Sequence, residues 1–373
     1  MASARLRTFA LVAAAASVAL IAPLPATAGD ATPIVIALEG PLTGSQASNG
    51  QDMLRGAQLA AIQVNEQGGV LGRPVRIVGI DDQGDPALAR QAVRDAVAAG
   101  AVAVVGPYNS SVGVKNLALY ENERIVPLRM TSDNATEGYG ATVQPMNSQI
   151  SPTEVNYISG LGVKSVVMLV DPSAYTTTIA AATARGLQKA GVAVTRITIP
   201  ESASDYSAQV AQALALDPDL VYSATYFPEG VLIAEELEAA NSTAQCFMNL
   251  ANVDAAFVQE AGISTSRTCI FSGVPAAAQL PSAGEYVTAY RAEFGIEPDV
   301  WGTFTYDSAW LLFAAMESVG TTRYGPVLDA VLHTRGMQGA TGTIDIRSKS
   351  GNRAHAPVYI LKVNRQGDFV VIG

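Results

Sequence analysis

The sequence predicts an α/β fold with two similar lobes, each built on a parallel sheet. Short apolar runs alternate with segments of helical spacing, and the alternation begins again in the second half of the chain. Predicted strands and helices of the first half are 33–38, 52–66, 75–80, 86–99, 102–105, 111–123 and 125–128. Those of the second half are 163–170, 175–190, 192–199, 206–216, 220–224 and 230–240, followed by a strand near Cys246. This order favours parallel strands covered by helices on both faces, because a parallel connection needs a crossover.

The last part of the chain has a different pattern. From residue 336 onward, glycines and short apolar runs at 358–363 and 369–372 predict a β-rich tail that closes one lobe.

Length and composition limit the class of protein. At about 150 residues per domain, 373 residues suggest two domains. With 49% apolar and 15% charged residues, the chain can bury large cores and is not disordered overall. A net charge of −10 argues against binding to nucleic-acid phosphates or anionic lipid. Two histidines and two cysteines leave little material for a transition-metal site.

The N-terminus carries the three parts of a secretory signal peptide. Arg5 and Arg7 precede an apolar run at 9–22, and the small residues 26–28 form a cleavage signature. A membrane anchor is the alternative, but the run is shorter than the roughly 20 residues that span a bilayer. We therefore expect residues 1–28 to be removed near Ala28 and the product to be periplasmic.

Two cysteines remain in the exported chain. Cys246 and Cys269 both lie in short apolar runs that resemble neighbouring strands. An oxidising compartment favours a disulfide between them, and the alternative is a pair of buried free thiols.

The sequence lacks the familiar catalytic and cofactor motifs. It contains no G-x-G-x-x-G after the first strand, no phosphate-binding loop, no H-E-x-x-H and no G-x-S-x-G. His333 and His355 have no cysteine or histidine nearby, so they are interpreted as structural. Adjacent carboxylates at 81–82 are more typical of a solvated turn than of a metal site, which needs further oxygen ligands. We expect neither an enzyme nor a bound cofactor or metal.

Polar segments follow three strands of the first half, at 40–50, 106–111 and 131–134. In open α/β sheets, ligands bind in the crevice outside the carboxyl ends of the strands. Ser110 and Ser111 lie where a helix begins, and its free N–H groups and dipole favour an anion such as a ligand carboxylate. Equally, Asn109 or Ser110 could simply cap the helix.

Many segments match one receptor family in order along the chain. They are 33–44, 56–57, 65–69, 72–75, 81–86, 106–111 and 120–121, then 171–175, 205–207, 226–229 and 339–344. They resemble the extracellular solute receptors of the type I periplasmic binding protein fold, in the branched-chain (Leu/Ile/Val) amino-acid receptor family. The resemblance covers essentially the whole chain after the leader, and it is more specific for the family than for the ligand.

The resemblance implies two Rossmann-like lobes joined by a three-segment hinge, with crossings near residues 149, 275 and 335. The N-terminal lobe would comprise 29–149 and 276–335, and the C-terminal lobe 150–275 and 336–373. Such a receptor clamps a small polar solute, expected here to be an amino acid or related carboxylate, between its lobes. It then docks on the permease subunits of an ABC importer. We expect a monomer.

The resemblance also implies a set of ligand-binding residues. Ser110 matches the serine that takes the ligand carboxylate, and Thr131 and Asp133 match a segment that contacts carboxylate and ammonium. Tyr175 and Tyr226 match second-lobe aromatics that line the cleft. The full expected set is Asn49, Asn109, Ser110, Thr131, Ser132, Asp133, Tyr175, Tyr226 and Asn249.

Two departures from the family affect the choice of ligand. Amino-acid receptors of this family pair the ammonium with a second-lobe glutamate, but the aligned stretch 248–252 contains no acid. An unpaired buried ammonium is costly, so either Asp133 supplies the charge or the ligand is an amide, a urea-like solute or a non-amino carboxylic acid. Asn49 replaces an aromatic wall and makes the pocket more polar. Trp301 is interpreted mainly as packing within the first lobe, with the cleft mouth as its alternative position.

Three hypotheses follow from these observations. The first is a transport receptor, the second a ligand-sensing subunit of the same fold, and the third a secreted hydrolase acting on an amide. The absence of a recognisable pair of nucleophile and base disfavours the third.

Overall fold

Two separate sheets organise the chain in the computed structural model, which describes residues 32–372. The predicted signal peptide, 1–28, lies outside the described residues. Strands of the first sheet are β1 (Ile34–Gly40), β2 (Val75–Asp81), β3 (Ala101–Val105) and β4 (Val126–Leu128). They pair in parallel in the order β2-β1-β3-β4. Helices α1 (Ala47–Glu66), α2 (Ala89–Ala98) and α3 (Ser110–Asn122) connect them.

The second sheet has seven strands. Five of them are parallel: β5 (Ser165–Val170), β6 (Ala193–Thr198), β7 (Leu220–Ala224), β8 (Gln245–Met248) and β9 (Cys269–Gly273). Helices α4 (Asn147–Gly160), α5 (Ala174–Lys189), α6 (Ser207–Leu214), α7 (Phe227–Ala239) and α8 (Ala255–Ser266) precede or connect these strands. The predicted alternation is therefore confirmed in both halves, with helix boundaries that move by a few residues.

The second helix shows why boundaries move. The predicted range 86–99 begins at a proline, whereas α2 begins at Ala89. The carboxylate of Asp85 accepts the Ala87 amide at 2.7 Å and holds 85–88 in a turn before the helix. Asp and Pro favour such turns over continued helix.

The last part of the chain adds three helices, two short hairpins and two further strands of the second sheet. Helices α9 (Gly284–Phe294), α10 (Trp301–Val319) and α11 (Tyr324–Leu332) follow β9. Strands β10 (Met337–Gly339) and β11 (Gly342–Ile344) form one hairpin, and β12 (Ile346–Arg347) and β13 (Asn352–Arg353) form another. Finally, β14 (Tyr359–Val363) and β15 (Phe369–Val371) join the second sheet as antiparallel strands, giving the order β15-β14-β9-β8-β7-β5-β6.

The two hairpins contact the part of the chain that carries the first sheet. Asn352 bridges to Thr142 and hydrogen bonds to the buried Arg129. Asp307 of α10 accepts the amides of Ala340 and Thr341 at 2.7 and 2.9 Å. These contacts favour a crossing after β13 rather than at residue 335, while the predicted lobe boundaries as a whole remain predictions.

Close packing of α1 on α10 holds the first half together. Gly56 faces the backbone of Gly302, and a Cβ at Gly56 would overlap the Gly302 carbonyl oxygen. Asp52, one turn earlier and buried, accepts the Gly302 amide at 2.6 Å. The helices approach so closely because neither glycine carries a side chain.

A disulfide joins the neighbouring strands β8 and β9. Cys246 and Cys269 are opposite each other in the parallel register, with a Cα–Cα distance of 4.5 Å. The favoured disulfide is therefore confirmed, and the two strands that the apolar runs predicted are adjacent.

Within residues 32–372, no helix combines the length and apolar character that a membrane crossing requires.

Candidate functional site

A small cavity lies between segments that follow the strands of the two sheets. Its wall from the first half consists of Tyr108, Ser110, Met130, Ser132, Gln144 and Trp301, and its wall from the second half of Tyr175, Tyr226, Leu250 and Ala251. The free space between these walls is about 10 Å3, enough for about one water molecule, so the two halves lie close together here. The first half therefore supplies both serines, the second half the two residues Leu250 and Ala251, and both halves supply aromatics.

The N-terminus of α3 supplies the polar end of the cavity. Gly106 has φ of +124°, and a Cβ there would overlap the carbonyl oxygen of Glu39, so the turn from β3 into α3 requires glycine. Asn109 occupies the N-cap position, but its side chain makes no capping hydrogen bond and instead donates to Gln46 at 2.9 Å. The Val112 amide donates to the Asn109 carbonyl at 3.0 Å, and the preceding amides of Ser110 and Ser111 have no side-chain cap. This favours the anion-site interpretation over simple capping.

Two serine hydroxyls lie beside this helix end. Ser110 accepts the amide of Asp133 at 3.3 Å, and its own hydroxyl proton stays free to donate. The Ser132 hydroxyl donates to the Pro145 carbonyl at 2.7 Å and accepts from the side-chain NH2 group of Gln144 at 3.2 Å. The helix end and Ser110 can therefore donate to an oxyanion, as a carboxylate needs.

Four aromatic rings form a continuous row across the cavity. Ring centroids are 5.2 Å apart for Trp301 and Tyr108, 6.1 Å for Tyr108 and Tyr226, and 5.8 Å for Tyr226 and Tyr175. Trp301 also packs on Phe304 at 6.0 Å, so it serves both in first-half packing and in the cavity wall. The hydroxyls of Tyr108 and Tyr175 are buried without a protein partner, which is costly for polar groups. They are therefore free to hydrogen bond to a solute.

These tyrosines stay neutral at physiological pH. Burial raises the pKa of Tyr108 and Tyr175 well above the usual value, and it also raises the pKa of Tyr226. Nearby carboxylates add to the shift, Asp254 for Tyr108 and Asp171 for Tyr226. The cavity wall therefore has hydroxyls, an amide and aromatic surface, and no formal charge.

The structure brings four of the predicted site residues into the cavity wall: Ser110, Ser132, Tyr175 and Tyr226. The other five are buried close by but do not line it: Asn49, Asn109, Thr131, Asp133 and Asn249. Their roles in binding remain predictions.

Local hydrogen bonds explain why three of those five point elsewhere. The Thr131 hydroxyl pairs with that of Thr136 at 2.7 Å. Asp133 accepts the Ala135 amide at 3.0 Å and caps the short turn Asn134–Thr136. Asn249 accepts from Asn252 at 2.6 Å. In this arrangement the Asp133 carboxylate caps that turn and does not line the cavity.

Sequence reasoning missed five residues of the wall. Tyr108 lies within the polar segment 106–111, but only its neighbours Asn109 and Ser110 are predicted site residues. Met130 directly precedes the polar segment 131–134. Leu250 and Ala251 fall within 248–252, the stretch that aligns with the ammonium-pairing glutamate of the family and contains no acid. Gln144 reaches the site from a loop after β4, where it donates to the Met130 carbonyl. Only the fold reveals that last placement.

Among residues 32–372, no group of three or more His, Cys, Asp or Glu side chains is arranged to hold a metal ion.

Comparisons with known proteins agree with this architecture. The Leu/Ile/Val-binding protein BraC3 of Rhizobium johnstonii is 28% identical over 297 residues, which cover 77% of this chain and 80% of that protein. A leucine binding protein of Thermotoga maritima superposes with a TM-score of 0.84 at 22% identity, over 91% of this chain and 98% of that chain. An ABC transporter solute binding protein of R. palustris, solved with benzoate, gives 0.82 at 19% identity, over 92% and 96%.

The structural similarities show the shared type I fold. The sequence profile described as periplasmic binding protein matches residues 33–368, nearly all of the described chain. Such proteins bind solutes and are not enzymes, so the hydrolase hypothesis is set aside. The chain belongs to the periplasmic binding protein family.

Proposed function

We propose that this chain is the exported receptor of an ABC importer, and that its solute is a small carboxylate without a primary ammonium group, such as an aromatic acid. The observation that carries the choice of solute is the uncharged cavity wall. An ammonium enclosed by Leu250, Ala251 and neutral tyrosines would lose its hydration without gaining a counter-charge.

The carboxylate of such a solute belongs at the N-terminus of α3. Uncapped first-turn amides and the Ser110 hydroxyl offer donors there, with Ser132 beside them. Hydrogen bonds to a charged acceptor are worth about 1.5–3 kcal/mol each, and the helix dipole adds to them.

The cavity between the halves has room for about one water molecule, so the halves must separate to admit a solute. Its body then belongs against the aromatic row. Edge-to-face contacts with Tyr108, Tyr226 or Trp301 are worth about 0.5–1.5 kcal/mol beyond the burial of area. The unpartnered hydroxyls of Tyr108 and Tyr175 suit a solute with a polar ring substituent. The benzoate bound to the R. palustris protein is a carboxylate of this class.

A branched-chain amino acid is the second candidate, because BraC3 and other relatives carry Leu/Ile/Val in their names. Its ammonium would need Asp133 to leave its capping contact with Ala135 and turn toward the solute. That rearrangement makes the second candidate the less favoured one.

Titration calorimetry with the exported protein tests the choice. Benzoate and 4-hydroxybenzoate are compared with leucine and isoleucine, each as the sodium salt or zwitterion at pH 7. We expect the aromatic acids to bind and the amino acids to bind at least tenfold more weakly. Tighter binding of leucine or isoleucine would overturn the proposed solute class while leaving the receptor function in place.

A serine variant then tests the carboxylate position. Ser110→Ala removes one donor to a charged group, so we expect the dissociation constant to rise by about 10- to 100-fold. Ser207 also opens a helix, α6, but it is exposed and outside the cavity, so Ser207→Ala is the matched control. Unchanged affinity in Ser110→Ala would contradict the placement of the carboxylate.

The permease partner and the export signal are parts of the same proposal. We expect the secreted protein to begin near Gly29, which intact mass spectrometry of the exported chain measures. Import of labelled solute by cells that carry or lack this receptor distinguishes transport from a role as a ligand-sensing subunit.

A further inference from the structure

We propose that a cluster of three aspartates, Asp52, Asp254 and Asp299, makes closure of the two halves pH-dependent, with the closed form favoured as pH falls from 7 to 5. The pH dependence of closure does not depend on which solute the protein binds. We also expect solute affinity to rise as pH falls, and that second expectation rests on the proposed function.

The cluster is assembled across the cleft. Asp254 caps α8, in the half with the second sheet, and accepts the Ala256 amide at 2.6 Å. Its other oxygen accepts the hydroxyl of Ser48, on α1 in the first half, at 2.9 Å. In return, Asp299 of the first half accepts the amide of Ala255 at 2.9 Å. Thus carboxylates from both halves meet at the start of α8.

Asp52 extends the cluster within the first half. It accepts the Asp299 amide at 3.2 Å and the Tyr290 hydroxyl at 3.0 Å. Asp52 and Asp254 are buried and Asp299 is half-buried. The three carboxyls border a groove of about 720 Å3 between the halves, through which protons can reach them.

Charges around the cluster are mostly of one sign. Asp254 faces Ser48 and Asp52 from α1, Asp299 from the segment before α10, and Glu260 on its own helix. Glu297 and Asp368 border the same groove. Arg55 offsets Asp52 and donates to Tyr290 at 2.7 Å. Closure therefore brings together more carboxyl groups than cations.

Burial and the neighbouring carboxylates raise the pKa of Asp254 to about 6, and they raise the pKa of Asp299 well above its usual value. Burial raises the pKa of Asp52. When the halves separate, Asp254 regains water and loses Asp52 as a neighbour, so its pKa returns toward 3.8. The closed form thus binds more protons than the open form. Closure gains stability as pH falls through about 6, and Asp254 alone shifts the equilibrium roughly tenfold between pH 7 and pH 5.

Trp301 reports the closure directly. It is one of two tryptophans in the sequence and is only 2% exposed in the closed cavity. Trp310→Phe, outside the site, leaves Trp301 as the single reporter. Acrylamide quenching of the solute-free protein is then measured from pH 7 to pH 5, and we expect the quenching constant to fall as the halves close.

Two variants in this background assign the effect. Asp254→Asn keeps one oxygen to accept the Ala256 amide, and its NH2 group can donate to the Ser48 hydroxyl, but it cannot titrate. It should therefore remove the pH dependence. Ser48→Ala removes a donor that stabilises the charged form of Asp254, so the midpoint should move to higher pH. Asp205 accepts the Ser207 amide with the same local geometry in an exposed position, so Asp205→Asn should behave like the parent.

Two outcomes would overturn the proposal. The first is quenching that does not depend on pH in the parent. The second is a pH dependence that persists in Asp254→Asn. It would assign the effect to other groups, such as Glu229 at the start of α7, whose pKa is raised by burial to about 7. Circular dichroism melts of each variant at both pH values show that the folded chain is being compared. Because no solute is present, these results stand even if the proposed solute class is wrong.

Discussion

Loss of the cross-link between Cys246 and Cys269 should measurably destabilise the protein. The two cysteines are 23 residues apart in sequence, and both are buried between neighbouring strands. In the chain-entropy treatment, closing a loop of this length stabilises the folded state by about 3.4 kcal/mol at 25 °C. For a single unfolding transition of a chain this long, that free energy corresponds to about 5 °C in the melting temperature.

Calorimetric melts of the oxidised protein, the reduced protein and a Cys246→Ala/Cys269→Ala variant measure the effect. Reducing the disulfide while the chain is unfolded, and then refolding it, measures the cross-link alone, because both cysteine side chains remain in the protein. The double variant adds the cost of the truncated side chains, and the reductant should have no effect on it. If half of the molecule unfolds independently, the shift grows to about 10 °C for that transition. Oxidised and reduced melting temperatures within 1 °C of each other would refute the reasoning.

Two further substitutions test the packing and the buried charge of the first half. Gly56→Ala should lower the free energy of unfolding, measured by urea denaturation, by about 1–3 kcal/mol, because the added Cβ meets the Gly302 carbonyl. Gly160→Ala is the matched control. It lies at a helical position with open space around it and should be neutral or stabilising. Burial raises the pKa of Asp82 to about 7, so its contribution to stability is complete below about pH 4 and is lost as pH rises through 7. The free energy of unfolding should therefore fall between pH 5 and 7.5, and Asp82→Asn should flatten that slope; an equal slope in both proteins would contradict this interpretation.

Local sequence signals identified the elements that hold the site. Apolar runs and helical spacing predicted β3 and α3, and so the position of Ser110 at a helix start. Tyr175 and Tyr226, carried over by resemblance, also line the cavity. The same signals could not tell which neighbour of a strand end faces inward. Asp133 and Thr131 engage a short local turn, while Met130 and Ser132 line the wall.

Residues brought together over long sequence separations could not be predicted this way. Gln144, Leu250 and Trp301 belong to three different segments of the chain, yet they line one cavity. The contact of Ser48 with Asp254 spans 206 positions and exists only where the halves meet. No local pattern encodes such a contact, because it depends on how the two sheets are placed.

The amino-acid sequence alone determined the α/β alternation, the pair of sheets, the family and the polar helix start, since periodicity and turn residues act over a few positions. The tertiary structure decided which side chains converge, that the cavity wall carries no charge, and that three carboxyls meet across the cleft. Those properties arise from packing between distant segments, where burial sets the cost of every unpaired polar group.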